Sequence, residues 1–490
     1  MSVRTKSMYT ERESIEPVLL NTALEFTQAH RDAQNKSKCA RELGCLKTLF
    51  PSILLGPKGG DVLVGRIAYP LAGFSNVYYP EKEGLDLLGY YFDKERAERI
   101  YKVHNNEVPF TKEDLDGLEE YWKENRSYNK TTDVMDKKMR RVLSTNDYIG
   151  KSSICHRLHR IASPSIDFHK LLKFGIRGYK EKLRFRLHEI LKEDLEGIEF
   201  LGAACEYMDL FSGIVEEYIF ETEKNAGLIK TTEALKRLLN SPPNSFIEAL
   251  QLVHLYATTG YMAQATGRID DDLGVFYVND IRNGDITKEE AIEWLLNYFQ
   301  LFSEHFPNSR LTMGGLGRRN VPEADEFCKV LLETTKIYFG DAKYRDGRRR
   351  SISLVPQVAF RFSKKTPREL LDQAYSVIAS GATFPILYND DINIDAVSNA
   401  FDISKKDAAQ YNFFDCGEYI IHGKSIGTPS TIVNLPKALE VTLHNGMDPK
   451  TGKRLGPENP NLDFRHYQEA SIHRGSKVHN FSVTAVLLGS

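Results

Sequence analysis

No two of the six cysteines in this 490-residue chain (Cys39, Cys45, Cys155, Cys205, Cys328 and Cys416) form a CxxC pair. Scattered thiols of this kind argue against a disulfide framework and a cysteine-based zinc site, and they predict a cytoplasmic protein. Long hydrophobic runs are missing as well. Nowhere do about 18 apolar residues follow one another, so no membrane-spanning helix is expected. The opening MSVRTKSMYTERES has no apolar segment, so no secretory signal is expected. Charge of one sign is scarce: 65 Lys and Arg against 67 Asp and Glu leave a net charge of −2. No global field then favours nucleic acid or an anionic membrane. The locally basic run DGRRR, Asp346 to Arg350, reads as a solvated loop. The pair His156 and His159 in CHRLHR has helical i, i+3 spacing but no third ligand nearby, so no metal is expected. Internal repeats and low-complexity linkers are absent too.

What remains is an ordinary globular composition, 41% apolar and 27% charged. Length alone suggests two or three domains, or a barrel that absorbs most of the chain. The first 240 residues read as mostly helical. TKEDLDGLEEYWKE opens on a capping threonine, Thr111, and an acidic first turn. Glycines flank a short apolar run in GPKGGDVLVGRI, which predicts a turn and a small strand. Beyond Pro242 the periodicity sharpens. Thr287 and Glu290 form a capping box before an apolar face of Ile292, Leu295, Leu296, Phe299 and Phe302. Thr366, Pro367 and Glu369 repeat the device, and Gly381 stops that helix. RSISLVPQVAFRFS alternates, with Ile352, Leu354, Val358, Phe360 and Phe362 in one phase and Ser353, Gln357 and Arg361 in the other. Arg361 on the polar phase is a candidate substrate contact or a salt-bridge partner. TFPILYND and NFFDCGEYII are shorter strand candidates. Strand and helix alternate from about 310 to 440, which predicts βα units around a parallel or mixed sheet.

In NFFDCGEYI, Cys416 stands two residues before Glu418 among apolar and aromatic neighbours. In an extended segment the two would project to one face, roughly 7 Å apart at Cα. Apolar surroundings keep a thiol neutral and raise a carboxyl pKa. A neutral thiol is a poor nucleophile but a good hydrogen-atom donor, and such a carboxylate is a candidate general base. Two other readings stand beside this one. Free cysteine is among the most buried residue types, so Cys416 could simply be structural. It could also be a nucleophile activated by His422, although nothing local lowers its pKa or orients the pair.

Several segments in order resemble the glycyl radical enzyme family, whose prototype is pyruvate formate-lyase. GDVLVGRI resembles its early strand motif. PPNSFIEALQLVHLY and TGRIDDDLGVFYVNDIRNGDITKEEAIEWL resemble its central helices and a glycine-arginine-x-aspartate turn, here Gly267, Arg268 and Asp270. LTMGGLGRRN resembles its glycine pair, Gly314 and Gly315. PQVAFRFSKKTPRELLDQAYSVIASGATFPILYNDD resembles a barrel strand, helix and strand. DCGEY falls at the cysteine loop, and NLPKALEVTLHNGMDPKTGKRLGP resembles the helix and glycine turn that follow it. The resemblance covers roughly residues 55 to 457.

It implies an α/β fold: an incomplete pyruvate formate-lyase-like β/α barrel surrounded by helices, with a mostly helical N-terminal region. Residues 1–457 would form the N-terminal part of that domain and 458–490 an atypical tail. It further implies a lyase or dehydratase that acts on a small polar substrate through a thiyl radical on Cys416, with Glu418 as acid and base. His156 or His159 falls near the family's substrate-binding histidine. No directly bound cofactor is implied. A radical-SAM activase normally installs the glycyl radical, and the family is commonly homodimeric. Asp415 before Cys416 departs from the cysteine pair of pyruvate formate-lyase itself, and Glu418 favours the dehydratase and lyase branch. That branch usually reads glycine-cysteine-valine-glutamate-proline, where this chain has Asp415, Gly417 and Tyr419. Met262 and Ala263 replace a histidine-serine pair of the glycerol-type enzymes. No arginine-valine-x-glycine-tyrosine string occurs, so a glycyl domain on a partner chain is expected. The alternatives are an inactive, partner-binding remnant and an unrelated cysteine-histidine hydrolase.

Overall fold

The structure, a computed structural model, describes residues 8–9, 15–75, 79–81, 84–87, 89–104, 109–125, 137, 155–160, 166–259, 265–305, 310–340, 355–414, 418–425 and 431–455. They fall into two compact units. One comprises residues 1–73, 92–119 and 163–427, the other 74–91, 120–162 and 428–490.

The first unit opens with helices α1 (Glu16–Asp32) and α2 (Lys38–Ile53). The glycine-flanked run then forms the predicted small strand, as β1 (Leu54–Leu55) pairs antiparallel with β2 (Arg66–Ile67). Its backbone is satisfied by buried side chains. Gln251 Nε2 donates to Val64 O at 2.8 Å and its Oε1 accepts from Val64 N at 2.9 Å, as a neighbouring strand would. Asn297 Oδ1 accepts from Leu63 N at 3.0 Å. Helices α3 (Phe168–Glu189), α4 (Leu195–Thr222), α5 (Ile229–Leu238) and α6 (Phe246–Thr259) follow.

Next comes an alternating run: β3 (Ala265–Arg268), α7 (Ile269–Asn283), α8 (Lys288–His305), β4 (Arg310–Gly314), α9 (Val321–Gly340), β5 (Gln357–Phe362), α10 (Arg368–Ala379), β6 (Ile386–Asn389) and α11 (Asp390–Phe401). The four strands form one parallel sheet in the order β6-β5-β4-β3. Each strand lies beside the next in sequence, with no reversal of order. That is the winding of a β/α barrel wall and not of a doubly wound sheet. The expected α/β class and parallel pairing therefore hold.

Local signals succeed where side chain and backbone agree. Thr287 N donates to Glu290 Oε2 at 2.9 Å and Glu290 N to Thr287 Oγ1 at 3.2 Å, which closes the predicted capping box of α8. Thr111 and Asp114 close another, at 2.8 and 3.1 Å. The face of α8 is broader than expected, because Trp294, Tyr298 and Leu301 are buried beside Leu295, Leu296, Phe299 and Phe302. The box at 366–369 does not form. Thr366 Oγ1 accepts instead from Ser363 N at 2.9 Å, and Glu369 pairs with Lys329. The hydroxyl closes the turn before α10 rather than the helix itself. Gly381 ends that helix with φ +86, as expected.

In the second unit a four-stranded sheet runs in the order Thr431–Val433, Cys155–Arg160, Gly84–Leu87, Tyr79–Glu81. His156 stands opposite Ile432 and His159 opposite Asp86. The helical spacing read for this pair is corrected: the segment is a strand, where positions three apart have opposite phase. Trp122 stacks on Tyr90 at 5.5 Å. Asn434 caps helix Leu435–Leu443 by accepting from Lys437 N at 3.1 Å, and Lys437 reaches the buried Asp448 at 2.8 Å. The DGRRR run, Met262, Ala263 and the tail after 457 lie outside the described residues.

Candidate active site: a hairpin on the barrel wall

NFFDCGEYII is not one strand. β7 (Tyr411–Phe414) and β8 (Glu418–Ile421) pair antiparallel, with Tyr411 opposite Ile421, Asn412 opposite Ile420, Phe413 opposite Tyr419 and Phe414 opposite Glu418. The expectation that Cys416 and Glu418 share one extended segment is corrected, because the chain reverses between 414 and 418. Cys416 itself lies outside the described residues, and so does the side chain of Glu418. Directly opposed residues of a hairpin share a face. Tyr411, Phe413, Tyr419 and Ile421 gather on one face against Ala359 of β5 and Ile394 and Val397 of α11. Tyr388 of β6 stacks on Phe413 with ring centroids 3.6 Å apart. The remaining phase carries Asn412 and Ile420, and Glu418 holds a register position of that phase.

Contacts along β7 fix the direction of the hairpin. Arg361, one residue from the end of β5, donates from Nη1 to Tyr411 O at 2.7 Å. Thr312, in the middle of β4, bonds to Asn412. Arg310, the first residue of β4, lies over the Phe413 ring at 5.8 Å. The hairpin thus starts at the carboxyl ends of the parallel strands and runs back along the sheet toward their amino ends.

Its base is clamped by charge. Arg361 is fully buried and meets Asp390 with two 2.9 Å bonds, from Nε and Nη2. Nη2 also reaches Ala409 O at 3.1 Å, just before β7. Its guanidinium lies over the Tyr411 ring at 3.7 Å. Asp390, the first residue of α11, also accepts from Tyr411 OH at 2.5 Å and Leu316 N at 2.6 Å. Of the two roles read for Arg361, the structure places it in the salt bridge, where it binds the hairpin and not an open surface. Arg268 adds a second grip, donating to Leu316 O at 2.6 Å, to Ala409 O at 3.3 Å and to Gly314 O. Asp270 accepts from Gly314 N at 2.9 Å, Arg318 Nη1 at 3.1 Å and the Cys328 thiol at 3.3 Å. The glycine-arginine-x-aspartate turn and the glycine pair, far apart in sequence, are therefore one joint. Gly315 has φ +77, and any Cβ there would press into the Asp390 carboxylate.

His422 extends β8 beyond Ile421, and its N–H bonds Gln410 O at 3.1 Å. It sits at the base of the hairpin, roughly 13 Å along the strand from Glu418 at the usual rise per residue. Cys416 lies outside the described residues, so its distance from His422 does not enter. Burial pushes its imidazole down to about 4, against the opposing pull of Asp167, so the ring is neutral near pH 7. A Cβ on Gly267, itself at φ +66, would collide with this ring.

The sequence profile of the pyruvate formate lyase-like family matches residues 2–471. The chain belongs to that family. Among curated members, the (2S)-3-sulfopropanediol dehydratase of Klebsiella oxytoca is 25% identical over 92% of this chain and 56% of its own length. The trans-4-hydroxy-L-proline dehydratase of Clostridioides difficile is 22% identical over 95% of this chain and 61% of its own. The chain thus spans little more than half the length of these pyruvate formate lyase-like relatives. A glycyl radical enzyme from Archaeoglobus fulgidus shares the fold, with a TM-score of 0.70 at 20% identity over 98% of this chain and 63% of the other.

Asp390, Thr312 and Asn412 were not singled out from the sequence. Asp390 follows the strand candidate TFPILYND directly, and an acid at a strand-to-helix junction was the available signal. Asn412 lay inside the quoted cysteine segment, and only the pairing register shows which way it faces. His156 and His159 belong to the other unit, and their side chains lie outside the described residues.

Proposed function

We propose that this chain carries the thiyl half of a glycyl radical lyase or dehydratase for a small polar substrate. Cys416 would bear the thiyl radical and Glu418 would move protons. The observation that carries the reading is the antiparallel β7–β8 pairing. It sets Phe414 opposite Glu418 in a hairpin clamped to a parallel barrel wall. A thiyl there takes a hydrogen atom from a substrate C–H bond, giving thiol and carbon radical. For a substrate with a hydroxyl on that carbon and a second hydroxyl on its neighbour, the Glu418 carboxylate takes the first hydroxyl's proton. It then passes that proton to the departing hydroxyl, which leaves as water. The product radical recovers a hydrogen atom from the thiol, and cysteine radical and carboxylate are both regenerated. The step consumes no electrons. The radical comes from a glycyl residue outside this sequence, formed by a radical-SAM activase. A homodimer, in keeping with the family, is part of the same reading.

Electron paramagnetic resonance tests this. The chain incubated anaerobically with an activase alone gives no glycyl doublet. Addition of a polypeptide with the glycyl loop gives the doublet and turnover, and Cys416→Ala abolishes turnover but leaves the doublet. Turnover that survives Cys416→Ala, or that proceeds in air without an activase, would overturn the proposal. If no glycyl partner restores turnover, the chain is the inactive, partner-binding form instead.

A further inference from the structure

Helices α3 and α4 form an arm whose outer faces are uncovered. The last buried residue of α3 is Ile176 and the first of α4 is Cys205, and no residue from 177 to 204 is buried. Phe185, Leu191, Leu195 and Phe200 on this arm are 58–72% exposed. Two helices paired alone leave much of their apolar surface in water, and a second pair closes it as a four-helix bundle. Gly175, at φ +65, kinks α3 where the arm begins. A groove of about 550 Å³ opens at the kink, lined by Phe174, Gly178, Glu181, Lys182 and Phe185. Gly178 has no side chain to fill it, and a Cβ there would meet only Phe174 Cβ, at 3.5 Å. The two helices carry opposite charge. From 177 to 189 five side chains are Lys or Arg and two are Glu, whereas from 192 to 206 five are acidic and one is Lys. Some of these pair within the chain: Arg177 with Glu181 at 3.1 Å, Arg186 with Glu189 at 3.9 Å, Lys180 with Asp209, and Glu206 with Lys47 at 2.5 Å. Lys182 lies over the Phe174 ring at 4.2 Å. Among the described residues, Lys182, Arg184, Glu196 and Glu199 make no ion pair.

We propose that this arm is the contact between two copies of the chain. Each copy sets Phe200 of α4 into the Gly178 groove of the other, and Glu199 then meets Lys182 at the rim of that groove. A two-fold axis makes the contact reciprocal, so a surface that carries both a groove and an aromatic knob, and both signs of charge, completes itself against its own copy. A partner of one sign would match one helix of the arm and repel the other. The inference gives a surface to the homodimer of the radical-lyase reading, and its test does not need turnover.

The test is sedimentation equilibrium of the full chain over about 1 to 100 μM, where a modest interface dissociates. The parent chain reaches the mass of two copies. Gly178→Leu fills the groove and replaces a poor helix former with a good one, so its melt by circular dichroism is no lower while the dimer weakens by roughly ten-fold or more. Phe200→Ser, at an exposed position, weakens it by roughly ten-fold or more as well. Lys182→Glu and Glu199→Lys each weaken the dimer alone, and the two together in one chain restore it to within about three-fold of the parent. If Gly178→Leu does not fold, the charge exchange carries the test. A dimer unmoved by Gly178→Leu and Phe200→Ser would overturn the arm as the contact and leave the homodimer standing on another surface. A monomer throughout the range would overturn both. So would a monomer whose arm binds a glycyl-loop polypeptide, with that binding weakened by Gly178→Leu, because the occupant would then be that partner and not a second copy. None of these outcomes touches the radical reading, which the glycyl doublet and Cys416→Ala decide separately.

Discussion

At the scale of the residue, burial decides which groups carry charge. His254 is fully buried and driven down to about 3, while the less enclosed His422 is driven to about 4. An unfolded histidine titrates near 6.5, so below that pH the unfolded chain takes up protons that the folded chain refuses. Stability is therefore lost as pH falls from about 6.5 to about 4, by at most ~1.4 kcal/mol per pH unit for each ring and less for the more exposed His422. Asp272 works the other way. Burial outweighs its ion pair with Arg319 and raises it to about 7, so its folded form gains protons first and adds stability as pH falls from about 7 toward 4. The net slope is that of one histidine. His422→Asn should flatten it, leaving His254 and Asp272 opposed. Urea melts at pH 4.5, 5.5 and 6.5 read this directly. An undiminished slope in the variant would show that His422 is protonated in the fold, contrary to its environment of Asp167, Asp271, Arg268 and Arg319.

At the scale of the element, the hairpin stands or falls with the Arg361–Asp390 pair. Asp390→Ala leaves a buried guanidinium without its counter-charge, and the expected cost is about 3–5 kcal/mol. Arg361→Met with Asp390→Leu removes both charges and should recover much of that loss, since an apolar pair of similar volume avoids desolvation. Chemical denaturation followed by circular dichroism checks the pair, and a loss under about 1 kcal/mol for Asp390→Ala would mean that the clamp is not structural. The clamp also shows what was legible in the sequence. Caps at Thr111 and Thr287 and the alternation of Val358 and Phe360 are local, and a single sequence records them. The sequence between β7 and β8 carries no Asn-Gly or similar turn pair, so a run of aromatics read as one strand. Arg361 was open to two readings because its partner lies 29 residues on and meets it only when β5 and β6 pair. Thr366 had the right spacing for a cap, but a nearer backbone donor, Ser363, claimed it.

At the scale of the whole molecule, the chain divides into two compact units. Among the described residues, Tyr218, Tyr298 and Phe299 are fully buried in the first and Trp122 in the second. The chain has two tryptophans, one in each unit: Trp294 in the first, Trp122 in the second. Fluorescence of Trp294→Phe reports unfolding of the second unit and that of Trp122→Phe unfolding of the first, and two compact units are expected to give separate urea midpoints. Coincident midpoints would show the units to be one cooperative body. None of the described helices is long and apolar enough to cross a membrane.

The grip on the hairpin base acts as a pivot. Arg361, Arg268 and Asp390 hold the root. A small tilt there turns the whole hairpin, so displacement grows with distance, and register position 418, roughly 13 Å along β8 from His422, moves further than the root itself. Substitutions at the root are therefore felt most where the contacts that define it are absent.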